Sequence, residues 1–253
     1  MMGAAPVPLT VVIPTLNEAD QIAECLSRVA WADEIIVADA GSTDGTVSLA
    51  RRLGARVLEH TGPTIAAQRN AAIATARNQW VLAVDADERV TEQLQEEIAR
   101  VLRSPAHPAY RIRRRNFYLG KELSRGHWGK DWVTRLFTRE RRYIERRVHE
   151  GLEEVPDPGL MQGYLDHVPY RDLSHQLDKM NRYARWGAED LYQAGRRARV
   201  WDLIGHPLGR FLRSYFLHGS CWDGRFGVVA SVLGAYTAFL KYAHLWALER
   251  RSE

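Results

Sequence analysis

The chain has 253 residues, 45% of them hydrophobic and 26% charged, which allows one sizeable domain with an extension and excludes a disordered or low-complexity polypeptide. Its two cysteines, Cys25 and Cys221, frame neither a disulfide scaffold nor a zinc site. Net charge is only +4, yet residues 111–147 carry thirteen Lys or Arg against four Asp or Glu, a basic stretch that should face an anion. Residues 1–8 hold no basic segment followed by an apolar run, so no secretory signal is expected and the expected compartment is the cytoplasm.

From Leu9 to Ser104 short apolar runs alternate with amphipathic segments, the pattern of successive βαβ units on a mostly parallel sheet. Leu9–Pro14 reads as a strand, and Ile22, Cys25, Leu26 and Val29 keep helical spacing in a segment that Asn17 is placed to cap. A second strand runs from Glu34 to Asp39. Asp44-Gly45-Thr46 then opens a helix, with Asp44 as its cap, that carries Val47, Ala50 and Leu53 and stops at Gly54. Ala55–Leu58 continues as strand, and Thr64–Asn78 is the third predicted helix. A fourth strand starts at Trp80 and delivers Asp85-Ala86-Asp87-Glu88, after which Thr91 caps a helix with Leu94, Ile98, Val101 and Leu102 on one face.

Three strands thus end in polar residues: Asn17 and Glu18, Asp39, and the Asp85/Asp87 pair. Parallel α/β sheets bind ligands beyond the carboxyl ends of their strands, so these exits predict one shared crevice. Alternate residues of a strand share a face, and on that ground Asp85 and Asp87 are expected to converge on a single oxygen-lined cation site. A hard cation there would neutralise a departing nucleoside diphosphate.

Residues 109–155 change character, with Arg- and aromatic-rich strands such as Val133–Thr138. Beyond Pro156 and Pro158 the chain turns helical, with helices predicted over Asp172–Ala194, Pro207–Gly219 and Arg225–Arg250. The last contains an uncharged run, Gly227–Leu240, of fourteen residues, too short for a bilayer span. Flanking Arg213, Arg225, Lys241, Trp222 and Trp246 fit an in-plane, interfacial role better, with packing on the core as the alternative. The expected division is an α/β domain over 1–160, carrying the polar strand exits, and a helical extension over 161–253.

The motifs Val-Ile-Pro-Thr-Leu-Asn-Glu (Val12–Glu18), Asp-Ala-Gly-Ser-Thr-Asp-Gly-Thr (Asp39–Thr46), Gln-Arg-Asn (Gln68–Asn70) and Val-Asp-Ala-Asp-Glu (Val84–Glu88), in this order and spacing, resemble a family 2 inverting glycosyltransferase. The resemblance implies a GT-A fold, a Rossmann-like, mostly parallel sheet flanked by helices, with a nucleotide-sugar donor and Mg2+ or Mn2+. It places Pro14, Thr15, Asn17, Glu18, Gly41, Gln68 and Ala86 around the donor. Asp39 corresponds to the acid that reads the nucleobase, Arg69 to a basic residue beside the phosphates, and Asp85 and Asp87 to the metal-binding pair, Asp87 being the direct ligand. The later segments Lys179–Tyr183, Tyr215-Phe216 and Asp223–Gly227 look like the lipopolysaccharide inner-core beta-glucosyltransferase branch. That branch implies UDP-glucose as donor and a heptose on a membrane glycolipid as acceptor. The enzyme would then sit on the inner face of the cytoplasmic membrane, with no nucleic acid partner.

Inverting transfer needs a base for the acceptor hydroxyl. Val148-His149-Glu150-Gly151 resembles the His-Glu element that this branch places near the acceptor, which assigns Glu150 as base; His149 and Asp131 are rivals, and Trp128, Trp132 and Arg135 would shape the acceptor side. A polyprenyl-phosphate acceptor, already anionic and needing no strong base, is the alternative within the family. A haloacid-dehalogenase-type phosphatase fits poorly, because Arg89 stands where that chemistry needs Thr or Val. A dinucleotide-binding oxidoreductase is excluded by Pro14–Glu18 standing in place of a glycine-rich turn. The complete set of acid motifs argues against a non-catalytic glycolipid-binding protein.

Overall fold

The computed structural model describes residues 7–59, 62, 64–123, 125, 131–145 and 151–250. These divide into two compact units, the first over residues 7–114 and 132–167, the second over 115–131 and 168–250.

The first unit is built on a mixed sheet. β1 (Val7–Thr15) pairs in parallel with β2 (Ala32–Asp39) on one side and β4 (Trp80–Ala83) on the other, and β3 (Arg56–Glu59) extends the parallel set beyond β2. β1 is buried along seven consecutive residues, as a central parallel strand covered on both faces must be. Leu9, Val11 and Ile13 point into one core with Ile22, Cys25 and Leu26 of α1 (Ala19–Ser27) and Leu94 and Ile98 of α4 (Glu92–Val101). Val12 points to the other face, where it joins Ala66, Ala72 and Ile73 of α3 (Ile65–Ala74). Each fully buried Leu or Ile contributes about 1.5–3 kcal/mol relative to exposure.

Beyond β4 the sheet turns antiparallel, first with β8 (Asp131–Thr138), and its strand order is β3-β2-β1-β4-β8-β6-β9-β5, with β5 (Glu88–Val90), β6 (Ala109–Tyr118) and β9 (Gly159–His167). β9 is held tightly against α4: the Glu97 carboxylate accepts the amides of Gln162 and Gly163 at 2.8–3.0 Å. A Cβ on Gly163 would lie 2.5 Å from the Leu94 Cα, so no larger residue fits there without a shift of the backbone.

The second unit carries β7 (Lys121–Leu123), paired with the end of β6, and three helices. α5 (Leu173–Gln193) is capped by Asp172, whose carboxylate accepts the His175 amide at 2.7 Å, and buries Gln176, Met180, Ala184 and Ala188 at four-residue intervals. α6 (Val200–Leu212) runs into a π-helical turn, Arg213–Leu217, and a 3-10 turn, Ser220–Asp223, leads to α7 (Arg225–Arg250). α6 and α7 form an antiparallel hairpin: the His206 and Tyr242 rings stack at 4.5 Å, and the Ser231 hydroxyl donates to that of Ser214 at 3.1 Å.

Four sequence expectations need correction. The third helix stops at Ala74 rather than Asn78, with Thr75 as its C-cap. α6 begins at Val200, seven residues before the predicted start at Pro207. Proline favours a first helical turn, but here it sits inside the helix, and Asp202 secures the true start by accepting the Arg199 amide at 2.9 Å. Asn17 does not cap α1. It adopts φ 58° and its side-chain oxygen accepts the Thr43 amide at 2.8 Å instead, leaving Asp44 to accept the Ala19 amide at 3.1 Å. Finally, β4 ends at Ala83, so the paired acids lie past the strand, in a turn.

Candidate active site

Loops after β1 and β2 are laced together by hydrogen bonds. The register pairs Thr15 with Asp39, and the Thr15 hydroxyl donates to the Asp39 carboxylate at 3.0 Å. Asp39 also accepts the amides of Gly41 and Ser42 at 2.9 and 2.7 Å and the Ser42 hydroxyl at 2.5 Å. A carboxylate has about four acceptor positions, and those of Asp39 are occupied by this loop. A nucleobase N–H would reach it by displacing the Ser42 hydroxyl, which in turn accepts the Asn17 amide at 2.8 Å. Asp44 closes the same loops, accepting the Thr46 amide at 3.0 Å, while the Thr46 hydroxyl accepts the Glu18 amide at 2.8 Å. Burial pushes the Asp44 carboxyl up, but the Thr46 hydroxyl and the Thr46 and Ala19 amides outweigh it and hold the group below the usual carboxylate range. Pro14 lies in the buried end of β1.

The acid pair occupies a tight turn in which the Glu88 amide donates to the Asp85 carbonyl at 2.9 Å. Strand periodicity does not apply there, and the two carboxylates take different neighbours. Asp85 is clamped by the guanidinium groups of Arg69 and Arg135. Burial pushes its carboxyl up, yet Arg135 and Arg69 overwhelm that effect and hold it far below the usual range. Asp87 instead lies with its Oδ2 3.5 Å from Nε2 of His167, both side chains largely buried. Among the described residues no three acidic, His or Cys side chains gather into a metal-ligand cluster.

Several residues that sequence reasoning did not single out hold this turn. Glu88 is fully buried and accepts the Asp85 amide at 2.9 Å, Arg135 at 2.8 Å and Arg114 at 3.3 Å. Arg89 ties the turn to α1 through the Gln21 side chain at 3.0 Å, and also donates to the Ala86 carbonyl at 2.8 Å. The Cys25 thiol, pushed far up by burial, remains a proton donor and contacts the Asp85 carbonyl at 3.6 Å. The positions of Glu88 and Arg89 beside the acids were a usable signal. His167, eighty residues downstream, offered none: only the pairing of β9 with β5, Glu88 opposite His167, brings it in.

Gln68 and Arg69 do not lie on a solvated helix face; both are buried, and the Arg69 guanidinium sits 4.7 Å over the Tyr143 ring. Asn70 fixes Tyr143 through paired hydrogen bonds of 2.9 and 2.8 Å to its backbone. Arg69 therefore meets Asp85 rather than standing open, and Arg135 points at Asp85 and Glu88 rather than toward an acceptor. Asp131 belongs to the second unit, where it accepts from Asn116 at 3.4 Å. Trp128, His149 and Glu150 lie outside the described residues.

The model of glycosyl transferase family 2 matches residues 10–158. The chain is 29% identical to the lipopolysaccharide core biosynthesis glycosyltransferase LpsC of Rhizobium meliloti over 248 residues, covering 94% of this chain and 92% of that one. It is 30% identical to an uncharacterized glycosyltransferase of Rickettsia typhi, covering 95% and 87% of the two. In structure it resembles S. aureus TarS residues 1–349, with a TM-score of 0.50 at 15% identity, over 97% of this chain and 92% of that one.

Proposed function

The chain belongs to glycosyl transferase family 2 and has a GT-A fold, and from that premise we propose that it transfers glucose from UDP-glucose, with inversion, to a hydroxyl of a membrane glycolipid such as a lipopolysaccharide core heptose. The observation that carries this reading is the turn Asp85–Glu88, fixed beyond the parallel strands with Asp85 held by Arg69 and Arg135 and Asp87 beside His167. The LpsC relationship over nearly the whole chain supports the lipopolysaccharide assignment.

Asp87 is the residue that would hold Mg2+ or Mn2+, with His167 beside it; a carboxylate oxygen suits both ions, and an adjacent imidazole favours Mn2+. The ion would supply charge neutralisation for the departing diphosphate. Asp85 serves a different purpose: by neutralising Arg69 and Arg135 it fixes the turn. Asp39 would read the uracil ring once the Ser42 hydroxyl yields its place. At the anomeric carbon the acceptor oxygen forms the new bond from the face opposite UDP, the old C–O bond breaks with its electron pair leaving on the diphosphate, and the hydroxyl proton passes to a base. We assign that base to Glu150, ahead of His149 and Asp131. A bilayer-embedded acceptor places the enzyme at the cytoplasmic surface of a membrane.

Incubation with a panel of nucleotide sugars and Mn2+ tests the reading by diphosphate release and by protection from melting. UDP-glucose should stabilise the protein only with metal, and Asp87→Ala should lower turnover by about a thousandfold. Metal-dependent stabilisation by GDP- or dTDP-sugars alone would remove the glucose assignment. Full turnover in Glu150→Gln beside a dead Asp87→Ala would shift the acceptor to a polyprenyl phosphate.

A further inference from the structure

α6 carries a row of large apolar side chains at four-residue intervals: Val200, Ile204, Leu208, Leu212 and, through the π-helical turn, Phe216. All are exposed, and Trp201 beside the first is 75% exposed. The row continues into the hairpin tip, where Leu217 and Trp222 are 80% and 83% exposed. On α7 the adjoining half presents Val228, Val232, Tyr236 and Phe239, exposed at helical spacing. Singly exposed apolar residues are ordinary, but a contiguous face on two paired helices is not.

The hairpin is built to stay rigid while showing this face. His206 stacks on Tyr242, Ser214 meets Ser231 and Leu203 packs against Tyr242 and Leu245, so a side of α6 other than the exposed row is turned to α7. At the tip a Cβ on Gly227 would lie 1.7 Å from the Ser220 carbonyl oxygen, so the closeness of the turn to α7 depends on glycine. Charge identifies the occupant. Residues 195–225 contain six arginines, Arg196, Arg197, Arg199, Arg210, Arg213 and Arg225, all exposed, against Asp202 and a buried Asp223. An apolar row among exposed arginines that outnumber the acids of the segment, with tryptophans at each end, matches an interface whose surface is anionic and whose interior is hydrocarbon.

We propose that the α6 face and the hairpin tip dock in the plane of an anionic phospholipid bilayer, with α6 rather than α7 as the principal inserted element. α7 is 26 residues long and, by length and composition, apolar enough to cross a membrane. Its uncharged run between Arg225 and Lys241, however, is fifteen residues, about 22 Å of helix against a hydrocarbon core of about 30 Å. Its remaining length is also occupied: Tyr242 and Leu245 are buried in a small core with Ala188 of α5. This assignment deepens the membrane setting of the proposed function and rests on it, but its test reads lipid binding without any sugar, so the two readings fail separately.

The test is co-sedimentation of the full chain with vesicles of phosphatidylcholine alone and with added phosphatidylglycerol. The wild type should bind the anionic vesicles. Ile204→Glu with Leu208→Glu should weaken that binding at least about tenfold without changing the melting temperature or the stabilisation by UDP. Arg210→Glu with Arg213→Glu should weaken binding to anionic vesicles and leave binding to neutral ones unchanged. Equal sedimentation of the apolar variant and wild type would overturn the proposal. So would a wild-type dimer that the apolar variant splits without loss of lipid binding, since the face would then join two copies. Resistance of both proteins to extraction from membranes at alkaline pH would assign insertion to α7 and likewise overturn it.

Discussion

The Asp85–Glu88 turn of the first unit and the α6–α7 hairpin of the second depart from the usual partition of residues in opposite directions. Around the turn, Glu88 and Arg89 are buried, as are Arg69 and Arg135 against the carboxylate of Asp85. On the hairpin, Trp201, Leu217 and Trp222 are among the most exposed side chains. Charge is buried at the turn because each group has a partner: two arginines on Asp85, two on Glu88, and the Asp85 amide on Glu88 as well. The apolar row of the hairpin has no such local explanation within its own helices, where Leu203, His206 and Ser214 are the α6 side chains that meet α7. A paired buried charge fixes geometry, whereas an unpaired exposed apolar face marks a surface awaiting an environment.

Substitutions in the two regions should therefore differ sharply in what they cost the fold. Asp85→Asn leaves two buried guanidinium groups without their shared counter-charge and should destabilise the first unit by about 3–5 kcal/mol, measured by urea unfolding at pH 7. The acid limb of the stability profile gives a second readout. Because the folded-state carboxyl of Asp85 is depressed, its stabilisation is fully present above the unfolded value of about 3.9 and is lost as pH falls toward the folded one. The wild type should lose stability through that window, and Asp85→Asn should show a shallower slope there.

Gly163→Ala tests the close packing of β9 on α4 against the polar clamp itself. Its added Cβ would strike the Leu94 backbone, and a loss of about 1–3 kcal/mol in thermal or urea unfolding is expected. Leu212→Ser on the hairpin should change stability by no more than about 0.5 kcal/mol, because the side chain is already 44% exposed. A large loss from Leu212→Ser would show that the exposed row is covered by protein in solution and would erase the contrast.

Much of the first unit was legible because it depends on near neighbours in sequence. Ile22, Cys25 and Leu26 keep one helix face, Thr91 caps as expected through the Leu94 amide, and the apolar runs become the parallel strands. Errors arose where the deciding partner was distant or the local rule had an exception. Asn17 answers to Thr43 across the loops, Pro207 is tolerated within α6, and the strand that should have aligned Asp85 with Asp87 ends at Ala83, before either acid.

The sequence by itself determined the order of acid-bearing strand exits, the family they resemble and the helical character of the C-terminal part, since these follow from local periodicity and short motifs. Only the tertiary structure decided that Asp85 faces Arg69 and Arg135 while Asp87 faces His167. It also decided which side of α6 is left uncovered. Each of those outcomes depends on strand register and helix packing between residues tens of positions apart, and side-chain pairing at that range is fixed by the folded backbone rather than by spacing along the chain.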